Sequence, residues 1–238
     1  MKIVGFVLTK NNSALFPKVL TKIPKSIDHI FVSDDNSNDN IEELCEKNSI
    51  KFYKNPQIIS GYGSNLKNAL NVGFQIHDAD YLVEIHGDGA QFNPAATNDA
   101  VILLKKNKLD LIVGSRILIL RENMKLGYPL SRMIPNLILS KIEKHLLKID
   151  ITDFHSGFRI YSKNLSQKIN YKNFSNNYLF SFEIILHAKK QNLKIGEVPV
   201  TCDYKSEHTS HKLFGRNSAF SYQLETFKLI YNYFRNRL

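Results

Sequence analysis

An α/β architecture, with a mostly parallel sheet flanked by helices in a single domain, follows from three observations on the 238-residue chain. Short apolar runs alternate with amphipathic stretches through the first 116 residues, the pattern of strands joined by crossover helices. Two of these runs stop at polar clusters of turn-forming Asp, Asn, Ser and Gly residues, 33–39 and 86–91. No internal repeat or low-complexity linker divides the chain, which favours one compact unit.

The elements are read in order. Strands are expected over residues 3–8, 29–33, 51–53, 81–86 and 110–114, because each is a short β-rich run bounded by polar residues. Helices are expected over 13–23, 38–48, 63–77 and 94–107. Asn38 is placed to cap the second, with Glu42 and Glu43 in its first turns, and Pro94 suits the first turn of the fourth. After Arg116 the pattern changes. Met133, Ile134, Leu137, Ile138, Ile142, Leu146 and Leu147 trace one face of a further helix. The polar loop 153–159 then runs into a short strand over 158–161, followed by a helix over 179–191 and a strand over 194–200. Phe220, Leu224, Phe227, Tyr231 and Phe234 recur at helical spacing near the C-terminus. This predicts a main domain over 1–212 and an amphipathic helix within 213–238, packed on the domain or lying at a membrane surface.

Composition sets outer limits. Hydrophobic residues make up 43% of the chain, ample for a core, and no apolar run approaches the roughly 20 residues that span a bilayer. The N-terminus meets a lysine at once and reads as a first strand rather than a signal peptide. Cys45 and Cys202 give neither a disulfide framework nor a zinc motif, so free thiols in a cytoplasmic protein are expected. The formal charge of +10 is compatible with nucleic acid, anionic lipid or a phosphorylated substrate. A nucleic-acid-binding protein would leave the acidic loops unexplained.

Those loops are the chemical signal. Ser33-Asp34-Asp35-Asn36-Ser37-Asn38-Asp39 and His86-Gly87-Asp88-Gly89-Ala90-Gln91 each follow an expected strand. Open α/β sheets bind ligands outside the carboxyl ends of their strands. Two carboxylate loops there suit a hydrogen-bonded nucleoside and a hard cation on a diphosphate. No G-x-G-x-x-G follows the first strand and no Walker sequence occurs, so a cofactor dehydrogenase or nucleotide hydrolase has little support.

Seven blocks in order carry a resemblance. They are Leu8-Thr9-Lys10-Asn11-Asn12, then 33–39, Gly61-Tyr62-Gly63-Ser64-Asn65-Leu66-Lys67, 86–94, Gly114-Ser115-Arg116, 153–159, and the stretch from Glu183 through Glu197-Val198-Pro199-Val200 to Ser210. Together they resemble the inverting glycosyltransferases of family 2, with the Rossmann-like GT-A fold, and more closely the branch of dolichyl- and polyprenyl-phosphate sugar synthases. The resemblance implies that Thr9 and Asp35 bind the nucleoside of a nucleotide-diphosphate sugar, with Asp34 sharing that role or bracing the loop. Asn65 or Lys67 would face the donor, and Lys205 would swing onto the nucleotide. Asp88 would hold Mg²⁺ or Mn²⁺, with Gln91 close behind. His86 stands where the family usually has an acidic residue, and is either a ligand or a packing residue. Arg116, Arg132 and Asn136 match acceptor-phosphate positions. Arg159 would add to them or pair with Asp153 as scaffold, and His211 replaces a common lysine. Asp153 has two roles open to it: general base toward a sugar hydroxyl, or a brace for arginines if the acceptor is a phosphate. His155 is a substitute base or a structural loop residue.

The expected function is therefore metal-dependent, inverting transfer of a sugar from a nucleotide-diphosphate sugar to a polyprenyl phosphate, by a peripheral protein on the inner face of an anionic membrane. Transfer to a glycan hydroxyl and a catalytically silent glycan- or nucleotide-binding relative are the alternatives.

Overall fold

The computed structural model describes residues 1–88, 93–204 and 219–236, the last segment with side chains from 221 onward. Its frame is a seven-stranded sheet in the order β3-β2-β1-β4-β6-β5-β7. The strands are β1 (Ile3–Thr9), β2 (His29–Asp34), β3 (Lys51–Lys54), β4 (Tyr81–His86), β5 (Leu111–Ser115), β6 (Arg159–Ser162) and β7 (Ile195–Pro199). β1 lies between β2 and β4 and is buried along its whole length, which is why its sequence is a continuous apolar run.

Side chains alternate across the sheet and feed two cores. Val4, Phe6 and Leu8 of β1 join Leu66 and Leu70 of α3 (Tyr62–Gln75), and residues of α8 (Phe180–Lys190) such as Phe182 and Ile185. Ile3 and Val7 face the other way. They meet Phe16 of α1 (Phe16–Leu20), Ile41 and Cys45 of α2 (Ile41–Lys47), and Ala100 and Leu104 of α4 (Ala96–Asn107). Cys45 and Cys202 are both free and buried.

The sheet is mostly parallel, as expected, and β6 runs antiparallel to both β4 and β5. Its amino end therefore reaches the same edge as the carboxyl ends of its neighbours, and brings the loop before it to that edge. α2 starts at Ile41 behind Asn40, whose side chain makes no capping bond, so Asn38 lies outside the helix. Pro94 precedes α4 in a turn, its carbonyl accepting from Thr97 N–H at 2.9 Å. Two short helices, α5 (Leu120–Lys125) and α7 (Lys163–Lys168), were not expected.

Two helices turn apolar stripes outward. In α6 (Leu130–Leu147) the buried residues include Met133, Asn136, Ser140, Glu143 and Leu147, whereas Ile134, Ile138, Ile142 and Leu146 are exposed. The same inversion occurs in α9 (Ala219–Phe234). Thr226 and Ile230 face inward, and the predicted stripe of Leu224, Phe227, Tyr231 and Phe234 faces outward. Phe220 falls outside the described side chains. No helix among the described residues is long and apolar enough to cross a membrane.

Candidate active site

Strand register assembles the site. β1 pairs Thr9 with Asp34 on one side and Leu8 with His86 on the other, so the loops after β2 and β4 emerge on either side of the end of β1. Gly87 makes this approach possible: its N–H donates to the Leu8 carbonyl at 2.9 Å, and an added Cβ would lie 2.5 Å from that oxygen. The clashing atom is backbone, which cannot move without opening the sheet edge. Gly87→Ala should therefore lower the unfolding midpoint and displace Asp88; an unchanged thermal midpoint would show that the two loops are not coupled in this way.

On the donor side the two adjacent carboxylates do different work. Thr9 Oγ1 donates to Asp34 Oδ1 at 2.9 Å, and Ser37 N–H donates to Asp34 Oδ2 at 2.8 Å. Asp34 is buried and spent on these bonds, so its geometry is that of a brace. Asp35 accepts from Asn55 at 3.0 Å on Oδ1, and on Oδ2 from exposed Lys10 at 2.9 Å and from Ser60. Burial raises the Asp35 pKa, but bonds from Ser60, Lys10, Asn55 and the Gly61 backbone together carry it below the usual carboxylate range. It is ionised at neutral pH and ready to accept from ribose or base.

Asn65 is buried, donating to the Ser33 carbonyl at 2.9 Å and accepting from Ser33 Oγ at 2.7 Å. Lys67 donates to the Phe174 carbonyl, and to Asn176 Oδ1 at 2.9 Å. Both thus secure the start of α3 to neighbouring loops. Gly61, at φ 153°, packs against the same segment: an added Cβ would come within 2.3 Å of the Asn176 carbonyl oxygen.

Asp88 is half-buried just beyond β4. His86 Nε2 donates to the Gly157 carbonyl at 3.0 Å and lies 3.3 Å from Glu84 Oε1. Burial pulls the His86 pKa down, but Glu84, Asp88 and the Gly157 carbonyl outweigh it and raise the value to about 9. Nε2 is thereby the proton-bearing nitrogen and is not the atom to offer a cation. Gln91 and Lys205 lie outside the described residues. Among the described residues no group of three His, Cys, Asp or Glu side chains forms a metal cage. A single carboxylate nonetheless fits Mg²⁺ or Mn²⁺ where a substrate and water supply the remaining oxygens.

The third cluster stands at the ends of β5 and α6. Arg116 holds Asp153 in a bidentate pair, Nε to Oδ2 at 2.7 Å and Nη2 to Oδ1 at 2.9 Å, while Nη1 donates to the Tyr204 hydroxyl at 3.0 Å. Tyr128 stacks on Tyr204 at 4.6 Å, and the Arg116 guanidinium lies 5.3 Å from the Tyr128 ring centre. Asn136 Nδ2 donates to Asp153 Oδ1 at 3.2 Å and to the Tyr128 hydroxyl at 3.2 Å. Burial raises the Asp153 pKa, but the Arg116 charge and hydrogen bonds, with Asn136, depress it to about 2. Arg132 is half-buried one turn before Asn136 on α6.

Two candidates take up other duties. Arg159 does not pair with Asp153; it is buried and donates to the Phe154 carbonyl at 3.1 Å, with Nε and Nη1 unpartnered. His155 bonds Glu143 through Nε2 at 3.0 Å and the Tyr222 hydroxyl through Nδ1 at 3.1 Å, tying α6 to α9. The sequence reading missed Glu84, which accepts from Tyr161 at 2.7 Å and also from Tyr62. A signal was present: a carboxylate inside a buried strand needs partners. It also missed Tyr128 and Tyr204, whose role arises only from packing around Arg116. A cavity of about 630 Å³ lined by Met1, Asp80, Lys105 and Lys163 lies at the opposite edge of the sheet and holds none of these residues.

The model of glycosyl transferase family 2 matches residues 6–169. The chain belongs to this family. A family 2 glycosyltransferase takes its sugar from a nucleotide-sugar donor, and this chain is such an enzyme. An uncharacterized protein of Methanocaldococcus jannaschii is 28% identical, over 74% of this chain and 70% of its own length. The UDP-N-acetylglucosamine–dolichyl-phosphate N-acetylglucosaminyltransferase of Methanococcus voltae is 29% identical, over 74% of this chain and 75% of its own. Among solved structures, glucosyl-3-phosphoglycerate synthase from Mycobacterium tuberculosis, crystallised with Mn²⁺, UDP and glucosyl-3-phosphoglycerate, superposes with a TM-score of 0.68. It covers 98% of this chain and 79% of the synthase at 13% identity, a likeness of fold.

Proposed function

We propose that this family 2 enzyme transfers its sugar, with inversion, to a polyprenyl phosphate. The observation that carries the reading is the state of Asp153. A sugar hydroxyl needs a base to take its proton, and a carboxylate held at about pKa 2 with both oxygens committed to Arg116 is a poor one. A phosphate monoester is already an anionic nucleophile and needs none. The name of the Methanococcus voltae relative, a dolichyl-phosphate transferase, points the same way.

In this reading Asp35 accepts from the nucleoside, displacing Lys10 or Ser60 from Oδ2, while Thr9 and Asp34 keep the loop in place. Asp88 would hold the divalent cation, which when bound neutralises the donor diphosphate and stabilises the leaving group. Arg116 commits three of its five N–H groups to Asp153 and Tyr204, and the others, with Arg132, would orient the acceptor phosphate, while Asn136, both of its N–H groups spent on Asp153 and Tyr128, would brace that pair. The acceptor oxygen attacks the anomeric carbon as the nucleoside diphosphate departs on the opposite side.

Two experiments bear on it. Asp35→Ala should weaken nucleoside diphosphate binding by roughly 1.5–3 kcal/mol, the loss of a hydrogen bond to a charged group, as read by calorimetry. Equal affinity in a folded variant would remove Asp35 from the pocket. Arg132→Ala should raise KM for polyprenyl phosphate while leaving KM for the donor near its original value; an equal rise in both would deny it an acceptor role.

A further inference from the structure

The outer face of α6 is chemically unlike an ordinary solvent-facing surface. Leu130, Ile134, Ile138, Ile142 and Leu146 recur every fourth residue and are 56%, 50%, 55%, 42% and 39% exposed. The inward face is mixed, with Asn136, Ser140 and Glu143 buried beside Met133, Leu139 and Leu147. Asn136 reaches Asp153, Ser140 accepts from Phe154 N–H at 3.5 Å, and Glu143 holds His155. An amphipathic helix in water normally turns its apolar stripe inward. Here buried hydrogen bonds hold it the other way, leaving a continuous apolar ridge that needs a partner.

Charge identifies the partner. Between residues 116 and 150 the chain carries seven Lys or Arg and three acidic residues, Glu122, Glu143 and Asp150; Asp150 pairs with Lys144, and Arg116 is held by Asp153. Glu143 is fully buried against His155 and offers nothing to a surface. Lys141 and Lys148 are exposed on α6 and at its C-cap. Branched aliphatic side chains among unneutralised lysines suit the boundary of an anionic bilayer, where the apolar groups enter the acyl region and the ammonium groups stay with the headgroups. A second copy of this chain would bring like charges together.

We infer that α6 docks its outer face on an anionic membrane surface, through Leu130, Ile134, Ile138, Ile142 and Leu146. The inference rests on the polyprenyl-phosphate reading for its purpose, since α6 also carries Arg132 and Asn136. Docking would bring the helix that holds those two residues to the level where a lipid phosphate lies. The expected attachment was by the C-terminal helix; α6 is an independent one.

The test is co-sedimentation of the full chain with vesicles of phosphatidylcholine containing phosphatidylglycerol. Wild-type protein should sediment at low salt, be released at high salt, and stay in solution with phosphatidylcholine alone. The triple variant Ile134→Glu/Ile138→Glu/Ile142→Glu should lose more than about tenfold in partitioning, with an unchanged circular dichroism spectrum. Lys141→Glu, which leaves the ridge intact, should weaken binding at low salt only. Triple-variant binding equal to wild type would overturn the inference. So would a wild-type dimer that the triple variant dissociates while neither binds vesicles, since the ridge would then be a self-association surface. Transfer to short-chain polyprenyl phosphate in detergent separates the two ideas. Transfer without vesicle binding removes the docking alone, and vesicle binding without any such transfer removes the acceptor alone.

Discussion

Asp88→Ala is expected to lower turnover by roughly a hundredfold or more while leaving the fold intact. The side chain is half-buried beyond β4, in a loop that Gly87 presses against the end of β1. It is the described carboxylate best placed to share a cation with a diphosphate. His86 cannot stand in for it through Nε2, because that nitrogen donates to the Gly157 carbonyl. The effect should fall on the chemical step and on donor affinity together, because the same charge is left uncompensated in both. Full turnover of the variant in excess chelator would contradict the assignment.

Asp153→Asn has the second large effect expected, and it falls on stability as well as catalysis. Asp153 is fully buried, and its removal strands the charge of the half-buried Arg116. Breaking such a pair from one side costs about 3–5 kcal/mol. Linkage gives a separate check. The folded-state value of about 2 lies below the ordinary carboxylate value of 3.8, so the pair contributes stability above about pH 4 that is lost as pH falls toward 2. That difference corresponds to about 2 kcal/mol in the wild type. The variant should lack this part of the acid destabilisation. Its kcat/KM profile should also differ from that of a lost base: no acidic limb assignable to Asp153 is expected above about pH 4 in the wild type. Urea unfolding with an unchanged midpoint, or a wild-type limb near pH 5 that the variant abolishes, would return Asp153 to the role of base.

Much of this architecture was legible in the chain. β4 was read to the residue, because Tyr81–His86 is a buried central strand bounded sharply by Asp80 and Gly87. The direction of β6 was not legible: four residues carry no sign of whether their neighbours run with them or against them. Helical spacing located α6 and α9 and their apolar stripes but did not show which way the stripes face. The reason is physical: a buried polar network of Asn136, Glu143, His155 and Asp153 satisfies itself only with Asn136 and Glu143 of α6 turned inward. Periodicity records the apolar stripe and is blind to where partners for polar groups lie. At the candidate site, the sequence already showed that Asp35 and Asp88 follow strands at one edge of the sheet. The division of labour between Asp34 and Asp35 was not readable, because it depends on which carboxylate Thr9 and Ser37 reach.

The account turns on the acceptor, and one assay addresses it directly. Purified enzyme, a divalent cation and a panel of radiolabelled nucleotide sugars would be offered short-chain polyprenyl phosphate in detergent beside an unphosphorylated sugar acceptor. The account predicts label in an acid-labile lipid-phosphate product, with transfer lost in Asp88→Ala and acceptor KM raised in Arg132→Ala. Label found only on the sugar hydroxyl, with polyprenyl phosphate untouched, would contradict it.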